Sequence, residues 1–225
     1  MIRLFVFDLD GTLVDSLRDL ADSANELLVS YGAAPLEIAT IGGMVGDGAA
    51  TLVARACAAA GIAPRDALAR FLEIYDARLL THTRPYDGMT DVIATLGRSA
   101  PLAVLTNKPL GATRRILAGL DLAKFFDEDA VIGGDGPWPR KPDTAGLLHL
   151  CERAAVAPAD AMLVGDSHVD WRTARDAGTG ICLARYGFGF LGFPSGTLDG
   201  SEQFIDTPAD LLRLRSPDGS PISSD

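Results

Sequence analysis

The chain has 225 residues, of which 48% are hydrophobic and 22% are charged, so it contains enough apolar side chains for a folded core. Its formal net charge of −10 argues against a nucleic acid or an anionic membrane as a partner, because both require a basic protein surface. The first apolar stretch, about six residues long, is too short for a signal peptide or a membrane span, so we expect a cytoplasmic protein.

An apolar, β-prone segment, residues 2–7, runs directly into two aspartates and a Gly-Thr turn. This pattern predicts a buried strand that carries acidic side chains at its C-terminal end, the edge at which open α/β sheets bind ligands. Because side chains alternate along a strand, Asp8 and Asp10 point the same way, and a divalent cation such as Mg²⁺ would offset their repulsion. Alternatively, both acids belong to an ordinary turn, where Asp-x-Asp-Gly is common.

The segment that follows this turn has helical periodicity and no strand pattern. Its first helix is predicted behind a Ser16-x-x-Asp19 capping pattern, and further helices follow a Gly-rich hinge at 42–48. Strand patterns flank the segment on both sides, so we interpret it as an insertion. The predicted domains are a core formed by 1–14 and 87–215 and an all-helical cap at 15–86.

Short apolar strands alternate with helices from residue 87 onward. Such alternation predicts a parallel sheet flanked by helices, which is a doubly wound α/β core. The tail, 216–225, has Ile222 as its one large apolar residue and is predicted to be disordered. The predicted elements are helices at about 88–98, 110–119, 142–155, 169–177 and 207–214, and strands at about 102–106, 130–132, 161–165, 180–184 and 203–205.

Three later segments place polar residues at a strand end or a helix start. They are the strand end Val104-Leu105-Thr106-Asn107, the helix start Arg140-Lys141-Pro142-Asp143 and the strand end that runs from Met162 through Gly165-Asp166 to Asp170. Together with the first strand and its Asp-Leu-Asp-Gly-Thr turn, they resemble, in order, the four motifs of the haloacid dehalogenase superfamily. Most members of this superfamily are aspartate-dependent phosphohydrolases.

The resemblance implies a chemical role for each acid and for one lysine. Asp8 would be the nucleophile that forms an aspartyl-phosphate, and Asp10 would protonate the leaving group and then activate water. Lys141 would balance the charge of Asp8. Mg²⁺ would be held by Asp8, by Asp10 through its main-chain carbonyl, by Asp166 and by Asp170, although Asp170 is equally explained as a helix-start acid.

Substrate binding is predicted from four further residues. Thr106 would hold a phosphate oxygen, helped by main-chain N–H groups such as that of Asn107. Lys108 follows in a Thr-Asn-Lys-Pro run that resembles the phosphoglycolate phosphatase-like branch, although a solvated lysine is the alternative. Arg55, on the helix after the hinge, would pair with a substrate carboxylate unless it is simply a solvent-exposed helix residue.

The sequence therefore predicts a Mg²⁺-dependent phosphatase for a small phosphate monoester, either phosphoglycolate-like or a sugar phosphate. A haloacid dehalogenase is disfavoured because such enzymes lack an acid at the position of Asp10. A phosphosugar mutase is the alternative enzyme, although those relatives commonly carry Gly-Val in place of Gly11-Thr12. A non-catalytic protein that binds a phosphorylated metabolite is the alternative from another class. We expect a monomer or a weak homodimer whose partner is a small phosphorylated metabolite.

Overall fold

The computed structural model describes residues 1–194, 196 and 198–214, so the predicted disordered tail lies outside the described residues. The strands are β1 (Leu4–Phe7), β2 (Val14–Asp15), β3 (Arg84–Pro85), β4 (Leu102–Leu105), β5 (Val131–Ile132), β6 (Ala161–Gly165), β7 (Gly180–Ala184) and β8 (Gln203–Ile205). The α-helices are α1 (Leu17–Ser30), α2 (Ile38–Gly42), α3 (Ala49–Ala59), α4 (Ala67–Asp76), α5 (Met89–Leu96), α6 (Leu110–Gly119), α7 (Ala145–Arg153) and α8 (His168–Ala177). Short 3-10 helices occupy Ala123–Phe125, Glu128–Ala130, Pro158–Asp160, Phe190–Gly192 and Pro208–Arg213.

Within these described ranges, the main sheet is parallel and its strand order is β5-β4-β1-β6-β7-β8. The first strand lies inside the sheet, between β4 and β6, and all four of its residues are buried. Phe5 and Phe7 pack into one hydrophobic cluster, whereas Leu4 and Val6 pack into a second one. This burial on both faces explains why the strand is a continuous apolar run. The predicted fold class, a parallel α/β sheet with an inserted helical cap, is confirmed.

A two-stranded antiparallel ribbon marks the place where the helical insertion leaves and rejoins the core. It pairs Val14 with Pro85 and Asp15 with Arg84, and helices α1 to α4 lie between its two strands in the chain. The sequence predicted no strand from 15 to 86, and the ribbon departs from that prediction by a few residues. Its pairing joins positions that are distant in the chain, so local periodicity carries no sign of it.

Ser16 directly precedes α1, as the capping pattern predicts, but the predicted capping hydrogen bonds are not formed. Neither side chain caps the helix: the Ser16 hydroxyl donates to Asp10. The buried Asp19 carboxylate accepts from the main-chain N–H groups of His82 and Thr83 and from the Thr83 hydroxyl. Asp19 thus fixes the segment by which the chain returns from the cap, a contact that depends on the tertiary fold.

Two other elements differ from the predicted ones. The last helix is a 3-10 helix, and the short helix α2 was not predicted because five residues are too few to show a helical period. None of the helices in the described part of the chain is long and apolar enough to cross a membrane.

Candidate active site

The predicted site residues, with the exception of Arg55, lie at or near the C-terminal edge of the sheet. Asp8, Thr106 and Asp166 each follow one of the three adjacent strands β1, β4 and β6. Lys141 reaches this edge from the segment before α7, and its ammonium Nζ lies 2.9 Å from Asp8 Oδ1 and 2.6 Å from Asp170 Oδ1. Only 2% of the Lys141 side chain is exposed. The lysine therefore joins the first and last motifs inside the protein.

Three buried aspartates form a compact acidic group next to Lys141. Oxygens of Asp8, Asp166 and Asp170 all lie within 4.8 Å of one another. Burial raises the pKa of Asp8 to about 6, an effect that Lys141 opposes. Burial, followed by the charges of Asp170 and Asp8, raises the pKa of Asp166 well above its ordinary value. Such mutual repulsion is what a divalent cation would offset.

The Asp166 carboxylate sits in a cradle built from glycines. A Cβ on Gly11 would come within 1.9 Å of Asp166 Oδ2, and one on Gly187 or Gly189 would also clash with this side chain. The Gly189 N–H donates to Asp166 Oδ2 at 2.8 Å, and in the described ranges no lysine or arginine forms an ion pair with Asp166. These residues therefore fit a bound cation, because the Asp166 carboxylate has no lysine or arginine partner in the part of the chain that the structure describes and the neighbouring glycine backbone fixes its position.

Asp170 is the helix-start acid that one of the two sequence interpretations expected. With Ser167 it forms a capping box at the start of α8, in which Asp170 accepts from the Ser167 N–H and hydroxyl. It also accepts from Lys141. A direct contact between Asp170 and a metal stays a prediction.

Asp10 belongs to a second polar group, on the side of the site that faces the cap. Lys108 Nζ lies 2.8 Å from Asp10 Oδ2, and the Ser16 hydroxyl donates to Asp10 Oδ1. The same ammonium donates to the Tyr75 hydroxyl at 2.6 Å. Burial alone would lower the pKa of Lys108, but Asp10 and Tyr75 raise it above its ordinary value. The alternative interpretation of Lys108 as a solvated lysine is wrong, because its side chain is 4% exposed.

Thr106 and Asn107 lie at the same edge but differ in what their side chains contact. The Thr106 hydroxyl accepts from the Lys108 N–H at 3.3 Å and lines the cavity above the site. The Asn107 amide donates to the carbonyls of Gly46 and Lys141, so it ties the hinge loop of the cap to the core. A phosphate would therefore contact Asn107 through its main-chain N–H rather than through its side-chain amide.

A cavity of about 470 Å³ separates the acidic edge from the cap. Its floor includes Asp8, Asp10 and Thr106, which belong to the core. Its cap side is mostly apolar and includes Leu20, Val45, Leu52, Phe71, Leu72 and Leu79. Pockets of this size hold small organic ligands, and these walls would exclude water from the edge of the sheet.

The structure does not bring Arg55 to this cavity. Its guanidinium lies 2.6 Å from Asp47 Oδ2 and donates to the Met44 carbonyl, and 44% of the side chain is exposed. Arg55 instead lines a separate recess of about 240 Å³ next to His168 and Arg172. Among the cavity-lining residues that the structure describes, Lys108 is the cation.

Sequence reasoning missed two residues of the site, Tyr75 and Ser16. The sequence indicates only that Tyr75 belongs to the all-helical cap at 15–86 and that Ser16 fits a helix-capping pattern. No local pattern distinguishes a phenol that packs in a cap from one whose hydroxyl reaches the core. The structure makes that distinction because it places Tyr75 against Lys108.

Comparison with known proteins decides the family. A family model described as haloacid dehalogenase-like hydrolase matches residues 5–184, a span that contains all four motifs. The chain belongs to the haloacid dehalogenase-like hydrolases. The resemblance predicted from the motifs is thereby confirmed.

Curated relatives of this hydrolase share a name. The phosphoglycolate phosphatase of Rhodospirillum rubrum is 41% identical over 198 residues, which cover 84% of this chain and 81% of the relative. The plasmid-borne phosphoglycolate phosphatase of Cupriavidus necator is 35% identical over 217 residues, which cover 94% and 92% of the two chains. A crystal structure described as a predicted phosphoglycolate phosphatase from Haemophilus somnus 129pt matches with a TM-score of 0.84 at 29% identity, covering 94% of this chain and 96% of the other. The hydrolase thus has relatives of almost its own length.

Proposed function

We propose that this hydrolase is a Mg²⁺-dependent phosphatase that cleaves a small phosphate monoester through an aspartyl-phosphate on Asp8. The observation that carries the proposal is the meeting of Asp8, Lys141 and Asp166 at one sheet edge, beneath a cavity that the cap covers. The family and the names of its relatives support a phosphoric monoester hydrolase. A non-catalytic binding protein would not need this set of reactive groups to remain complete.

The proposed reaction assigns each step to a residue of this chain. An Asp8 oxygen attacks phosphorus, the bond from phosphorus to the ester oxygen breaks, and Asp10 gives that oxygen a proton. Water then attacks the phosphorus of the aspartyl-phosphate, Asp10 takes a proton from this water, the bond from phosphorus to the Asp8 oxygen breaks, and inorganic phosphate leaves. Lys141 and the Thr106 hydroxyl bind phosphoryl oxygens throughout.

The metal proposal follows from the acidic group described above. Asp8, Asp166, the main-chain carbonyl of Asp10 and, as predicted, Asp170 would hold Mg²⁺. When bound, the ion would neutralise charge on the phosphoryl oxygens and on the attacking carboxylate. A hard divalent cation suits this all-oxygen donor set.

We expect Gly11→Ala to weaken Mg²⁺ binding by about tenfold or more, because residues that orient metal ligands typically contribute this much. The added Cβ would displace the Asp166 carboxylate. Gly61→Ala is the matched control: Gly61 also has a positive φ, +71° against +86° for Gly11, but a Cβ there meets nothing within 4 Å. Calorimetric titration of Mg²⁺ into both variants measures the difference. Equal affinities in the two variants would contradict the proposed role of the cradle.

The decisive experiment for the function is phosphate release from a panel of monoesters, with Mg²⁺ and with a chelator. The panel should contain 2-phosphoglycolate, several sugar phosphates and p-nitrophenyl phosphate. We expect metal-dependent release from at least one small ester. If no panel member released phosphate in a metal-dependent way, the protein would instead be a binding protein of the same fold.

Substitutions of two cationic residues, Lys108 and Arg55, test which chemical group the substrate carries besides its phosphate. We expect Lys108→Met to lower kcat/KM for 2-phosphoglycolate by about tenfold or more relative to its effect on a sugar phosphate, because a substrate carboxylate would share with Asp10 and Tyr75 the buried ammonium that lines the cavity. Arg55→Ala should change the same constant by less than about twofold, because an exposed guanidinium paired with Asp47 contributes little. The opposite ranking would support the sequence-based assignment of the carboxylate to Arg55. If the wild type hydrolysed sugar phosphates better than 2-phosphoglycolate, the result would favour a sugar phosphate as the substrate.

The remaining proposals concern the surroundings of the protein. We propose that it acts in the cytoplasm on a small phosphorylated metabolite, without a nucleic acid or a membrane as partner, since its net charge is −10. A monomer or a weak homodimer is expected, and sedimentation of the purified protein over a range of concentrations would test this.

A further inference from the structure

One buried contact crosses from the cap to the catalytic edge. Tyr75 lies on cap helix α4, is 5% exposed, and accepts a hydrogen bond from Lys108 Nζ at 2.6 Å. The same ammonium lies 4.5 Å from the centre of the Tyr75 ring. The ring itself stacks on Phe71 of the same helix, with ring centroids 5.6 Å apart. The phenol ring therefore packs within the cap while its oxygen contacts a lysine of the core.

The other contacts of Lys108 point to the acid of the proposed reaction. Its ammonium spans both oxygens of Asp10, at 2.8 and 3.1 Å. An ammonium on a four-carbon stem is a flexible group, and it holds one position only when its donors are engaged on more than one side. Asp10 engages it from the core and Tyr75 engages it from the cap. Without Tyr75, the lysine would lose the contact that opposes Asp10.

We propose that Tyr75 is a positioning residue that acts through Lys108 to hold Asp10 in line with the leaving oxygen. The cap then completes the catalytic site instead of merely covering it, because the tyrosine reaches Lys108 only when α4 is docked on the core. This inference rests on the proposed phosphatase function. It gives the cap a role in proton transfer. Neither the sequence motifs nor the names of the relatives indicate such a role.

The role has a distinctive kinetic consequence. Esters with a poor leaving group, such as an alkyl phosphate, need the proton of Asp10, whereas p-nitrophenyl phosphate releases a stable phenolate. We therefore expect Tyr75→Phe to lower kcat/KM for the alkyl ester by about tenfold or more, the value of one hydrogen bond to a charged group. For p-nitrophenyl phosphate the loss should stay below about threefold. A purely structural role would reduce both constants equally.

The experiment compares Tyr75→Phe with Tyr31→Phe on both esters. Phenylalanine keeps the stacking on Phe71, so the variant should fold, and Tyr31→Phe removes a phenol that donates to the exposed Asp66, away from the cavity. Tyr31→Phe should leave both constants near those of the wild type. In a Lys108→Met background, Tyr75→Phe should have no further effect, because Tyr75 acts on Asp10 through the Lys108 ammonium, which this background lacks.

Each outcome separates this inference from the function on which it rests. The alkyl ester is the best alkyl substrate of the panel, and a wild type that releases phosphate from no ester of the panel overturns the phosphatase proposal together with this role. An active wild type with an equal loss on both esters in Tyr75→Phe, or with additive losses in the double variant, overturns the role alone. Urea unfolding without metal supplies a readout independent of activity: the effects of Tyr75→Phe and Lys108→Met on stability should be non-additive. Additive effects would show that the contact does not couple these residues.

Discussion

The Asp8→Asn variant is expected to release phosphate about 10⁴-fold more slowly than the wild type or worse, the scale seen when a nucleophile is removed from a catalytic unit. An amide is a poor nucleophile, so the covalent step has no substitute in this site. The fold should survive, because Lys141 keeps its contact with Asp170 and an asparagine oxygen can still accept from it. Phosphate release from the best ester of the panel measures the effect.

Detection of the covalent intermediate is a second test of the role of Asp8. Rapid acid quenching of the wild type during turnover, followed by peptide mass spectrometry, should find a phosphoryl group on the peptide that contains Asp8, and Asp8→Asn should lack it. Asp121→Asn serves as the control, since Asp121 is exposed and pairs with Lys124 on the surface. Activity of Asp8→Asn within about tenfold of the wild type would exclude covalent catalysis by this residue.

Lys141→Met is expected to destabilise the protein by about 3–5 kcal/mol in metal-free buffer, because removing one partner of a buried ion pair leaves uncompensated charge. Here the charge left behind belongs to Asp8 and Asp170, which are 7% and 0% exposed. The pKa of Lys141 is raised by these acids although burial alone would lower it, so the ammonium is firmly held in the folded protein. Urea unfolding in the presence of a chelator measures the loss.

Lys124→Met provides the comparison for this prediction. Lys124 is 54% exposed and pairs with the exposed Asp121, and such surface pairs contribute about 1 kcal/mol or less. A loss in Lys141→Met no larger than that in Lys124→Met would show that the buried acids are not charged beside Lys141. Addition of Mg²⁺ should return part of the stability to Lys141→Met, since a bound cation would offset the same acids.

Most of the core and its reactive groups could be predicted from local sequence. The strand that ends at Asp8 is a continuous apolar run because both of its faces are buried, and that requirement leaves a local signal. The resemblance to the superfamily supplied the rest, because it implies a common site for the motif residues, and in the structure Asp8, Thr106 and Asp166 follow adjacent parallel strands and meet at one edge. The placement of Lys141 against Asp8 agrees with the charge-balancing role predicted for it.

The contacts that side chains of the cap make with distant parts of the chain could not be predicted from local sequence. Arg55 was expected to reach the substrate because it follows a hinge, yet Asp47 on that same hinge pairs with it outside the cavity. Ser16 and Asp19 match a capping pattern but contact other parts of the chain. In each case a polar group has several partners that sequence spacing allows, and the packing of distant elements selects one of them.

The sequence by itself thus determined the parallel core and the helical insertion, because these depend on periodicity, and it identified the acids and the lysine at the sheet edge through the resemblance of its four motifs to the superfamily. The tertiary structure alone decided which cation faces the cavity, Lys108, and that Tyr75 of the cap contacts it. The physical reason is that an ammonium removed from water must be paired: the fold of the core brings Asp10 to Lys108, and the docking of the cap on the core adds Tyr75.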